Sequence, residues 1–162
     1  MAIVLVGETA GIANLASQQP GNKTYIAALS GSLDQRTMLI RGTIKAFDVG
    51  LSGNTNYKLK VFRDVGADWV FVGESPLYTN AAGPELIYNV PCWIPVEVGD
   101  YLGIYVSAIL YGLETNVNPM NTWVQQAGDI TITTAKAAWA AAGRDNGQLV
   151  AYVFTKVAPF VM

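Results

Sequence analysis

Short apolar runs punctuated by Gly, Pro and Asn recur along the whole chain, and almost none of them repeats with a helical period. The clearest alternation lies at 57–62 (YKLKVF). Tyr57, Leu59 and Val61 fall on one face, and Lys58, Lys60 and Phe62 on the other. A polar turn over 63–68 and a second apolar run over 69–72 complete a predicted hairpin. Further strands are predicted over 3–6, 23–29, 37–47, 86–90, 93–96, 101–107, 122–126, 130–133 and 148–156, with a bulge or bend at Gly42. Pro91 and Pro95 each remove a ladder donor, which places their segments at a sheet edge or at a crossing between sheets. Long loops are expected over 80–85 and 111–121.

One segment reads as a helix. The stretch 134–142 (TAKAAWAAA) is alanine-rich, is closed by Gly143, and has Thr133 or Thr134 available to cap its start. Nowhere do helical segments separate successive strands, so alternating βαβ structure is excluded. The expected fold is all-β: one domain over 1–162, an antiparallel β-sandwich of the jelly-roll kind with one short helix near the C-terminus.

Composition adds a bias toward association. Charged residues make up 14% of the chain, against about 25% in an average soluble protein. Ten basic and twelve acidic residues leave a net charge of −2, too weak a field to steer nucleic acid. A surface so thinly charged suits a homo-oligomer or a component of a larger protein assembly. The N-terminal run reads as a first strand and not as a signal peptide, and no stretch approaches the roughly 20 apolar residues of a membrane span. No signal peptide is visible and no membrane insertion is expected; the expected location is a virion, or outside the cell after assembly.

The chemistry available is narrow. There is no histidine, which removes the usual general base of serine and cysteine hydrolases and the nitrogen ligands of zinc, copper and haem. The single cysteine, Cys92, allows no intrachain disulfide and sits in an apolar strand (VPCWIP), where a buried, inert thiol is expected. No phosphate-cradling glycine loop occurs, and no cofactor is expected. A carboxylate pair for glycoside cleavage would have to come from Asp64, Asp68, Glu74, Glu85, Glu97, Asp100 and Asp129, most of which sit in turns where acids are ordinary turn formers. Asp64 and Asp68, in one hairpin loop, are weak candidates for a calcium site, without the spacing of a dedicated calcium loop.

Aromatic residues offer the remaining handles. Trp69 and Trp93 lie within strands and are expected in the core. Trp123, Tyr78 and Tyr111 fall in or beside loops rich in Asn and Thr. With Asn121 they form a candidate carbohydrate-binding set, rings stacking on sugar faces while amides read hydroxyls. Trp139, in its alanine-rich segment, needs a cover from the chain's own sheet or from a neighbour. Phe160, Val161 and Met162 end the chain apolar, and these four residues are candidate interface positions. Finally, 93–105 (WIPVEVGDYLGIY) resembles a strand–turn–strand unit of jelly-roll domains, which include virion proteins, attachment heads and sugar-binding sandwiches. The function expected from all this is non-enzymatic. It is a structural or assembly subunit, such as a phage capsid, capsid-decorating or attachment protein in a virion. The alternative is a lectin-like sandwich that binds a glycan.

Overall fold

A computed structural model of the chain describes residues 2–7, 17–19, 21–27, 38, 40–51, 54–81, 85–108, 110–113, 123–141, 146–147 and 149–155. Those residues form an all-β structure of two antiparallel sheets. The seven-stranded sheet contains β1 (Ala2–Gly7), β2 (Ser17–Gln19), β4 (Gly42–Leu51), β8 (Glu85–Val96), β10 (Leu110–Leu113), β14 (Asn146–Gly147) and β15 (Leu149–Thr155). The eight-stranded sheet contains β3 (Lys23–Ile26), β5 (Thr55–Val65), β6 (Asp68–Glu74), β7 (Tyr78–Asn80), β9 (Asp100–Val106), β11 (Val124–Ala127), β12 (Thr134–Ala135) and β13 (Ala140–Ala141).

The alternation at 57–62 translates directly into burial. Tyr57, Leu59 and Val61 enter the main core with Tyr25, Leu102 and Ile104 of the same sheet. They share it with Ile44, Phe47, Val49 and Val153 of the seven-stranded sheet. Burying such branched and aromatic side chains contributes about 1.5–3 kcal/mol each and is the main force on the fold. The hairpin β5–β6 closes tightly at Gly66, whose φ of +58° suits the residue without a Cβ.

The two predicted strands around Pro91 and Pro95 are one continuous strand, β8. Among the described residues it pairs with β4 alone, so it is an edge, as its prolines require. At the opposite margin β1 pairs in full register with β15 alone. Val4 packs against the core, while Ile3 and Leu5 point away from it and are 58% and 52% exposed.

The predicted helix over 134–142 is not what forms there. The segment makes β12, a single 3-10 turn at Lys136–Ala138, and β13. The reason is tertiary. Thr134 and Ala135 pair with Trp69 and Asp68, and Ala140 and Ala141 pair with Gln125 and Val124. The Thr134 hydroxyl accepts the Trp139 indole N–H at 2.8 Å instead of capping a helix. The strap also shapes the sheet. β12 and β13 lie at opposite ends of a seven-strand path, six interstrand steps apart, or about 29 Å if flat. The connection from Ala135 to Ala140 reaches at most roughly 18 Å, so the sheet must curl until both edges come within its reach. The predicted strand over 130–133 is irregular chain leading into this strap.

Candidate functional site

Along β8, Val90, Cys92, Ile94 and Val96 turn toward the core, which leaves Pro91, Trp93 and Pro95 on the outer face. Trp93 is accordingly 67% exposed, contrary to the core position expected for an aromatic within a strand. Next to it, β4 carries a bulge. Tyr152 pairs with Ala46 and Val153 with Ile44, so Lys45 is an extra residue relative to β15. The Lys45 ammonium lies 4.7 Å from the centroid of Trp93 and 5.1 Å from that of Phe154. Two such ring contacts each contribute about 0.5–1 kcal/mol at an exposed site. Among the described residues Lys45 makes no salt bridge, whereas Arg41, Lys58, Lys60, Arg63 and Lys136 all do.

Phe154 and Pro95 also line a cavity of about 460 Å³, together with Arg41, Gly42, Thr43 and Glu97. The Arg41 side chain is largely exposed and meets Glu97 at 3.0 Å. Gly42 is needed here because a Cβ would stand 2.6 Å from the Phe154 carbonyl oxygen. Further along the same face Asp48 is buried, accepting the Tyr152 hydroxyl at 2.6 Å and the Asn89 backbone N–H at 2.8 Å. That hydrogen bond, with burial adding to it, pushes the Tyr152 phenol up to about 12. Asn89 itself adopts a left-handed conformation, φ +54°, in an irregular stretch of β8 where the pairing register with β4 shifts.

A second polar cluster sits on the eight-stranded sheet. Lys60 is fully buried and contacts Glu74 at 2.6 Å and Asp129 at 2.5 Å, and it donates to the Ile130 carbonyl at 2.9 Å. Lys58 bridges the same two carboxylates at 2.8 Å each. Burial alone would raise the Asp129 pKa, but hydrogen bonds from Lys58 and Lys60 outweigh it and hold the carboxyl below its ordinary value. This neutral square of charges fastens the chain after Gly128 to the sheet, aided by Thr24, which accepts the Ile130 N–H and donates to the Gly128 carbonyl. Of the acids considered for glycoside cleavage, Glu74 and Asp129 are thus brought together, yet each is bound to two lysines. Asp100 is fully buried and accepts hydrogen bonds from Nε and Nη2 of Arg63. The Glu85 side chain lies outside the described residues.

The remaining predicted positions scatter. Trp123 is 3% exposed within the main core and offers no ring face to a sugar. Tyr78 packs on Tyr57 and Phe47 and donates its hydroxyl to the Pro91 carbonyl. Tyr111 falls on β10 with its side chain outside the described residues, as are Asn121, Phe160, Val161 and Met162 altogether. Trp139 finds its cover on its own sheet, 5.6 Å from Phe62 in an edge-to-face contact. Asp64 is paired with Lys136, and no group of three metal-ligating acids, cysteines or histidines occurs among the described residues. Cys92 is half-buried, its thiol near the Ile44 carbonyl, and burial pushes it up to about 12, so it carries no thiolate at neutral pH.

The sequence signal for Trp93 was present in the phase of 90–96. Val, Cys, Ile and Val occupy one parity, and Pro, Trp and Pro the other. No family model, no curated protein and no solved structure matches the chain.

Proposed function

We propose that the chain is a non-enzymatic assembly subunit, one jelly-roll-like sandwich domain over 1–162 that associates with copies of itself in a larger shell or particle such as a virion. The observation that carries this is the β1 edge. Its six residues, AIVLVG, hold no charge and no proline, and they are paired on one side alone among the described residues. Natural edges are normally blunted, as Pro91 and Pro95 blunt β8, because an open apolar strand templates another. A second copy fits best. Antiparallel pairing about a two-fold axis through Val4 sets Ile3 opposite Leu5 of the other copy, and the reverse, which is self-complementary by construction. Such pairing would satisfy both ladders and join two exposed apolar stripes.

Size-exclusion chromatography with light scattering tests this. The wild-type chain is expected to run as a dimer or larger species whose mass falls on dilution. The double substitution Ile3→Lys with Leu5→Lys, on outward positions with no core cost, should shift it to monomer. A wild-type chain that stays monomeric at millimolar concentration defeats the assembly reading. The second reading, glycan recognition, is favoured by one observation of its own, the exposed Trp93 beside Lys45.

A further inference from the structure

We infer that the outer face around Lys45, Trp93 and Phe154, with the cavity beside it, is a binding site for a hexuronate, a pyranose carrying one carboxylate. Three features of the site each select a different part of that ligand. The Lys45 ammonium has no carboxylate partner among the described residues, and it is held in place by two rings. No carboxylate among the described residues balances its charge, which favours an anionic group on the ligand. Trp93, 67% exposed, together with Phe154 and Pro95 supplies apolar surface for the face of a sugar ring. At the far end of the cavity the Arg41 fork, the Glu97 carboxylate and the Thr43 hydroxyl provide donors and acceptors for hydroxyl groups. Glu97 would repel a second carboxylate there, so the ligand's charge belongs at the Lys45 end. A volume of about 460 Å³ accommodates a disaccharide-sized ligand.

The site borders the proposed self-association edge: Phe154 stands opposite Ile3 across the β15–β1 pair, while Lys45 and Trp93 lie farther away, on β4 and β8.

The four tryptophans make the test direct. Trp69, Trp123 and Trp139 are 3–8% exposed, so a ligand-dependent change in emission reports Trp93. Digalacturonate and a glucuronate disaccharide are titrated, with methyl-esterified digalacturonate as the uncharged counterpart and acetate as a charge without a ring. A saturable change with at least one of the two acidic disaccharides is expected, with the ester binding at least about tenfold more weakly and acetate leaving emission unchanged. Lys45→Gln should lose about tenfold in affinity and Lys45→Arg should retain most of it. Trp93→Ala, followed by calorimetry, should abolish binding while near-UV circular dichroism shows the fold intact. Binding of the ester or of acetate as tight as that of the acid, unchanged affinity in Lys45→Gln, or no saturable signal with either acidic disaccharide would overturn the inference. Titrating at protein concentrations on both sides of the wild-type association midpoint, where equal affinity is expected, keeps this outcome independent of the oligomeric state.

Discussion

The two sheets treat their outer faces differently. The eight-stranded sheet curls around a second apolar cluster, Ile26, Phe62, Trp69 and Trp139, and its own strap over 128–141 covers it. The seven-stranded sheet leaves Ile3, Leu5, Tyr88 and Trp93 open to solvent. Both faces carry aromatic and branched side chains in strand alternation, so residue type does not separate them. The separation comes from chain length spent in different places. Fourteen residues after β11, 128–141, are given to roofing one face, and no described segment crosses the other. A covered face holds the fold together, whereas a bare one is available for contact.

The contrast can be broken most forcefully at Trp139. Trp139→Ala removes the centre of the roof and should destabilise the chain by about 3–5 kcal/mol, read as a lowered denaturant midpoint. A loss below about 1 kcal/mol would mean that the strap is not holding the face. Asp129→Asn attacks the clip under the same roof and should cost about 1–3 kcal/mol by leaving Lys58 and Lys60 short of an ionised partner. Acid does the same reversibly. Asp129 titrates below its ordinary value in the folded chain, so its contribution is present above the unfolded carboxylate pKa and is lost as pH falls through the folded one. Lys58, raised because its hydrogen bonds to Asp129 and Glu74 outweigh the opposing effect of burial, behaves inversely, losing its contribution only as pH rises through its folded pKa. Protection factors for amide exchange around 129–130, corrected for the intrinsic slowing of exchange in acid, should therefore start to fall below about pH 4, before those of the core strands, and protection there that is lost only together with the core would exclude the clip. The smallest effect belongs to the bare face. Trp93→Ala should change stability by no more than about 1 kcal/mol, the worth of its contact with Lys45. A cost like that of Trp139 would show that Trp93 is structural after all.

How legible all this was depends on the range of the interaction. The phase of 57–62, the proline-marked edge and the pairing of the first apolar run as a strand are local consequences of side-chain alternation and missing donors, and they stand in the sequence plainly. The exchange of roles between Trp93 and Trp123 does not, if each is judged by whether its neighbours look like a loop or a strand. Trp123 precedes β11 and drops into the core, while Trp93 sits mid-strand on the outer parity. The alanine-rich segment misleads for a related reason. Its intrinsic preference is helical, but two short ladders and one indole hydrogen bond, made to residues between 5 and 67 positions away, override a propensity of a few tenths of a kcal/mol per residue. Lys60 was readable as a polar-face residue. Its complete burial was not, because Asp129 reaches it from another part of the chain.

The position of β15 has a consequence in time. It lies between β1 and β4, so the seven-stranded sheet cannot close until Leu149–Thr155 arrives, long after the margin strand β1 has been made. During synthesis at about 5–20 residues per second, AIVLVG waits roughly 7 to 30 s with neither of its edges occupied. In that interval neighbouring nascent chains on one message offer each other the same naked strand. The order of manufacture thus sets a competition between finishing one molecule and tangling two, and the arrival of Leu149–Thr155 decides it.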